Sequence, residues 1–183
     1  LDNLQTKAKA LSEPNALIQL KARSSHDGVK VNVDNSAIAG QYRLEVNQVA
    51  RAQELVTHTG FEALDTVLSD QNSTLTITLH DGSTEDLEIK AGTTLSQFVE
   101  QINAHPKLGV AATLINDGSE TPHRLLLRAQ ETGSDAAIQS MQFSDNNLQA
   151  LLGFEAGDDS DGIYQVQQAR NAQLTLNGIT LES

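Results

Sequence analysis

The densest supply of oxygen ligands in this sequence is GDDSDG at 157–162, and the first chemistry to test there is calcium binding. A helix-loop-helix calcium site needs carboxylates at its first and twelfth positions around a sixth-position glycine. With Gly162 as the sixth residue, the first is Gly157 and the twelfth is Gln168. Both anchoring carboxylates are absent, so the stretch is expected to be a solvated acidic loop. The five histidines, His26, His58, His80, His105 and His123, are scattered beside turn residues, and none forms the i, i+4 pair of a helical zinc motif. Serines are plentiful, yet no G-x-S-x-G elbow occurs. Glu85 with Asp86 and Asp158 with Asp159 are adjacent in sequence, which turns the two acids of a strand pair to opposite faces. Gly28, Gly40, Gly60, Gly82 and Gly92 stand isolated, outside any phosphate-cradling pattern. No enzyme, cofactor or metal is expected from these residues.

Composition narrows the classes further. The chain of 183 residues carries 24 acidic against 12 basic side chains, a formal net charge of -12. Such a field repels phosphate backbones and anionic lipid surfaces, so a nucleic-acid partner is not expected. With no cysteine, disulfides and thiolate zinc sites are excluded. No run approaches the roughly 20 apolar residues of a membrane-spanning helix, so no membrane span is expected and the fragment is expected to be soluble. Hydrophobic residues make up 38% and aromatics 3%, which calls for a core of Leu, Val, Ile and Ala. At this length roughly 70% of the unfolded surface can be buried. The chain opens at Leu1 with neither an initiator Met nor a basic-then-apolar leader, and is expected to be a piece of something longer.

The elements follow from periodicity. Leu1, Leu4, Ala8 and Leu11 have heptad spacing, and Pro14 ends that helix, which is either a frayed end or the stub of a longer coiled coil. VKVNV at 29–33 alternates as a short strand. In GQYRLEVNQVARAQELV at 40–56, Tyr42, Leu44 and Val46 alternate with polar residues as a half-buried strand; Val49 then breaks the phase, so the strand must bulge, switch sheets or end. STLTITLH at 73–80, the turn Asp81-Gly82, and Leu87 with Ile89 predict a hairpin. Leu95, Phe98, Val99 and Ile102 form one helical stripe behind the capping box Thr94 and Gln97, and Pro106 and Gly109 end it. Residues 109–116 and 123–129 read as a second hairpin in the same module. Leu148, Leu151 and Leu152 predict a short helix stopped by Gly153, and LTLNGITL at 174–181 predicts a hairpin turning at Asn177-Gly178.

Together these segments resemble the flagellar hook-associated protein 2 family, whose members cap the growing tip of bacterial flagellar filaments. Gly40, Tyr42, Leu44, Val46, Gln48, Val49, Ala50, Ala52, Gln53 and Leu55 match its pattern of G-Y, alternating aliphatics, then Q-aliphatic-A-x-A-Q. The capped helix with Ile102-Asn103, Gly109-Val110-Ala111-Ala112, Asn116-Asp117, Arg124-Leu125 and Thr132-Gly133 is similar to a repeat of flagellar axial proteins generally. Ala172 to Leu181 resembles the family's segment around Asn177-Gly178-Ile179.

The resemblance implies an α+β fold, mostly antiparallel sheets with a few short helices, in two domains with one inserted in the other. Residues 1–27 would be the end of a leg helix and a linker. Residues 28–57 with 168–183 would form a discontinuous leg-proximal β-rich domain, and 58–167 the inserted outer domain. Because the chain stops at Ser183, the returning leg helix would lie outside it and the leg-proximal domain would lack its final strands. The implied role is structural: a secreted, extracellular cap at the distal tip of the flagellum, promoting flagellin assembly and preventing its loss. Its implied partners are further copies in a ring, flagellin and an export chaperone. Another axial protein, such as a hook-filament junction protein or a flagellin insert domain, is one alternative; an adhesion module binding host glycans or mucin is the other.

Overall fold

Alternating residues build most of this protein, and their partners decide which faces are covered. The computed structural model describes residues 20–34, 36–158 and 162–183. The chain divides into two compact units, Leu1–Arg43 and Leu44–Ser183. The described part of the first has no strand or helix. Local turns order it, as where Asp34 Oδ1 accepts from the Ser36 amide at 2.8 Å and its hydroxyl at 2.6 Å. VKVNV at 29–33 is therefore not a strand: its alternation finds no ladder among the described residues, and Val31 and Val33 are exposed. The heptad from Leu1 to Leu11 lies outside the described residues.

The second unit holds eleven strands and two α-helices among its described residues, all strand pairs antiparallel, as the α+β expectation requires. Three sheets result. β1 (Leu44–Gln48), β10 (Gln173–Leu176) and β11 (Ile179–Glu182) form one in the order β1-β10-β11. A second runs β5-β6-β2-β9, from β2 (Glu54–Thr57), β5 (Val110–Asn116), β6 (His123–Ala129) and β9 (Ile163–Gln167). The third runs β4-β3-β7-β8, from β3 (Ser73–Leu79), β4 (Thr84–Ile89), β7 (Ile138–Phe143) and β8 (Phe154–Glu155).

The two four-stranded sheets share one core with the helices. Leu75, Ile77, Leu87 and Ile89 from the third sheet meet Leu55, Val110, Leu125 and Leu127 from the second in a single buried cluster. Helix α1 (Leu95–Asn103) adds Leu95, Phe98 and Ile102, with Phe98 and Phe143 ring centroids 6.3 Å apart. Its start is the expected capping box: the Thr94 amide donates to Gln97 Oε1 at 3.0 Å and the Gln97 amide to Thr94 Oγ1 at 3.4 Å. Helix α2 (Asn146–Leu152) contributes Leu148 and Leu152. Gly153 does stop it, but in an extended conformation at φ -64°, not the left-handed one of a usual glycine cap. The three expected hairpins form, each in a different sheet; β1 completes the first sheet, β2 and β9 the second, and β7 and β8 the third.

The phase slip of the 40–56 stretch resolves in all three ways at once. Residues 40–43 are not strand; β1 begins at Leu44. Val46 faces Leu174 and Gln48 faces Gln173, so Asn47 is an unmatched bulge residue. The chain then leaves this sheet, makes reciprocal backbone hydrogen bonds between Arg51 and Arg170 at 2.9 and 3.1 Å, and enters the second sheet as β2. The expected half-buried face is a correction: Tyr42, Leu44 and Val46 are all exposed.

Candidate functional site

The polar residues that could have done chemistry are occupied in structure. Asp86 accepts the Thr76 hydroxyl at 2.6 Å on an open sheet face. His58 stacks on Tyr164 with ring centroids 4.5 Å apart. Asp117 takes the amide of Ser119 and the guanidinium of Arg124, which also donates to the carbonyls of Thr57 and His58. The Ser119 bonds first, then Arg124, hold the Asp117 carboxyl far below the usual carboxylate range. Asp145 caps α2 by accepting from the Asn147 amide at 2.8 Å and also takes the Ser69 hydroxyl; those bonds, Ser69 first, lower its pKa. Among the described residues, no three His, Asp or Glu side chains come together to hold a metal. Asp159 to Asp161 of the acidic loop lie outside the described residues.

Two other features stand out. The first is a surface. In the three-stranded sheet the register sets Leu44 opposite Leu176, Val46 opposite Leu174, Leu174 opposite Leu181 and Leu176 opposite Ile179. Side chains of paired residues share a face, so six aliphatic residues line one side of this sheet. Leu44, Val46, Ile179 and Leu181 are 41%, 50%, 67% and 45% exposed. A sheet face so apolar is built to be covered.

The second is a joint. Residues 49–53 and 168–172 carry the chain between the small sheet and the larger module. Gln48 Nε2 donates to the Asn171 carbonyl at 2.8 Å, Gln167 Nε2 to the Ala52 carbonyl at 2.8 Å, and the Gly133 amide to the Arg51 carbonyl at 3.1 Å. Buried Gln53 then acts as a piece of backbone. Its Oε1 accepts from the Ile138 amide at 2.7 Å, while its Nε2 donates to the Ile138 carbonyl at 3.2 Å and to Gln165 Oε1 at 2.8 Å.

The motif residues divide between these parts. Gly40 and Tyr42 fall in the first unit, where the Tyr42 hydroxyl makes a long bond to the Ile38 carbonyl at 3.4 Å. Val46 and Gln48 sit on β1, and Ala50 in the joint. Ile102, Val110 and Leu125 are core. Asn103 ties the end of α1 to edge strand β5, exchanging hydrogen bonds with the Ala112 backbone at 2.9 and 2.8 Å. Gly109 is left-handed at φ 66°; Gly133 turns beside Asn171; Asn177 and Gly178, at φ 50° and 87°, make the mirror-image turn a two-residue hairpin favours. Sequence reasoning passed over Asn171, which stands in a polar run without periodicity.

The arrangement defines an α+β protein with a small open sheet jointed to a two-sheet module, its polar side chains spent on turns and joints. The model of the Flagellar hook-associated protein 2 N-terminus matches residues 1–53, and that of the Flagellin hook IN motif matches 74–130, from β3 to just past β6. Flagellar hook-associated protein 2 of Escherichia coli K12 is 33% identical over 187 aligned positions, spanning all of this chain. The crystal structure of the D2-D3 domains of the Escherichia coli flagellar cap protein FliD superposes with a TM-score of 0.79 at 33% identity, covering 87% of this chain and 82% of that one. The D1-D2-D3 structure from Escherichia coli gives a TM-score of 0.75 at 35% identity, over 81% of this chain and 45% of that one. The chain belongs to the flagellar hook-associated protein 2 family. It spans 39% of the length of the Escherichia coli relative.

Proposed function

We propose that this chain is the outer part of a cap at the distal tip of the bacterial flagellar filament. It is a structural component outside the cell that guides flagellin subunits into place and prevents their loss, with no chemical step of its own. Its partners are flagellin and, in the full-length parent, further copies of itself. The observation that carries the reading is the fold shared with the Escherichia coli cap protein's D2-D3 domains over 82% of that chain at 33% identity. The comparisons name flagellar cap proteins, and neither host glycans, mucin nor an export chaperone enters the proposal.

The division into a leg-proximal domain, 28–57 with 168–183, and an inserted outer domain, 58–167, belongs to the same reading. One boundary moves: β2 goes with the outer domain, because Leu55 is fully buried in that core and β2 pairs with β6 and β9. The aliphatic face of the three-stranded sheet is then covered, in the parent, by residues outside this chain. Deleting the parent gene in the source bacterium tests the function. Flagellin should be lost to the medium and filaments shortened, restored by the parent gene but not by one lacking residues 44–183. Normal filaments in the deletion strain would overturn the reading.

A further inference from the structure

We infer that the joint between the small sheet and the outer module is latched, with Asn171 the positioning residue that fixes the angle between them. A connection of two single strands is by default a hinge. Here Asn171 gathers three segments besides its own. Its Oδ1 accepts from the Ser134 amide at 2.7 Å and the Ser134 hydroxyl at 3.2 Å, in the loop joining β6 to β7 of the outer module. Its Nδ2 donates to Glu182 Oε1 at 2.9 Å, at the end of β11. Its carbonyl accepts from Gln48 Nε2 at 2.8 Å, at the end of β1.

One residue thus ties both edge strands of the small sheet to the outer module, β11 through its side chain and β1 through its carbonyl. Gly133 makes room for it: at φ 102°, a Cβ there would stand 2.9 Å from Asn171 Oδ1. Neither β1 nor β11 places a residue in the shared core. The other joint bonds, Arg51 with Arg170, Gly133 with Arg51 and Gln167 with Ala52, hold the two connecting segments and reach neither edge strand, so the Asn171 network is what couples the sheet's edges to the module.

Residual dipolar couplings of backbone amides, measured on the whole chain, test it. In the unaltered protein one alignment tensor should fit the amides of both β1-β10-β11 and the two larger sheets. Asn171→Ala should abolish that common fit and require two tensors, with amide-exchange protection of the Ile102 region unchanged. Ser134→Ala, which keeps the 2.7 Å amide bond, should retain one tensor. If Asn171→Ala melts the small sheet, Gly133→Ala decides, since it crowds Oδ1 from outside that sheet and should also give two tensors. Two tensors in the unaltered protein would overturn the latch. So would a single tensor in folded Asn171→Ala, or in Gly133→Ala where that variant decides.

Discussion

The strand β3 and the strand β1 carry the same alternation, yet Leu75 and Ile77 are 0% and 1% exposed while Leu44 and Val46 are 41% and 50% exposed. In β3 the apolar side meets a second sheet and two helices; in β1 it stays partly open, and neither residue joins the buried core cluster. Alternation sets which residues share a face. Burial needs a second layer, and the two regions differ in whether one is present. The two-sheet module therefore has a covered core of its own, while the small sheet is held by its joint and its backbone ladder.

The largest expected difference comes from matched charges. Ile102→Asp, placing a carboxylate at a fully buried site, should destabilise the outer module by at least about 4 kcal/mol, seen as loss of its thermal transition. Ile179→Asp, at a site 67% exposed, should change stability by less than about 0.5 kcal/mol in this chain. In the full parent it should cost about 2 kcal/mol or more if other residues cover that face. Equal effects of the two substitutions in this chain would break the comparison.

Next in size are the two glutamines that flank the joint. Gln53→Ala strips partners from the Ile138 backbone inside the module and should cost about 2–3 kcal/mol in chemical denaturation. Gln48→Ala removes one partly buried bond and should cost about 0.5–1 kcal/mol. Gly178→Ala forces a side chain into φ 87° with open space around it. A backbone penalty of about 1–2 kcal/mol should appear as faster amide exchange in β10 and β11 alone.

The smallest effect is acid sensitivity. The pKa values of Asp81, Asp117 and Asp145 are lowered from 3.8, chiefly by hydrogen bonds from Ser83, Ser119 and Ser69 respectively. A folded-state pKa below the unfolded one stabilises at higher pH, so this contribution is complete above 3.8 and is lost as pH falls below it. The module's melting temperature should drop below that pH, and Ser69→Ala should flatten part of the drop. No flattening would mean that the Ser69 bond does not stabilise the ionised Asp145.

Much of the fold was legible where local signals agreed with the final contacts. Thr94 and Gln97 capped their helix as their spacing implies, and Asn177-Gly178 turned its hairpin because φ above zero costs these residues little. β7 was illegible because a register shift at Gln139, beside Thr78 and Leu79, breaks its period and sets Ile138 and Met141, three residues apart, in the same core. β9 escaped notice as an edge strand whose one fully buried residue is Ile163. VKVNV misled for the opposite reason: alternation without a partner makes no strand.

By itself the sequence determined the local vocabulary of this protein: three hairpins, a capped helix, an acidic surface and no cysteine chemistry. Those follow from periodicity, caps and composition, which act within a few residues. Only the tertiary structure decided the register of β1 on β10 with its bulge at Asn47, that Gln53 serves as backbone for Ile138, and that Asn171 draws together Gln48, Ser134 and Glu182. A polar side chain bonds whatever the folded chain brings within about 3 Å of it, and that neighbour is set by the packing of distant segments.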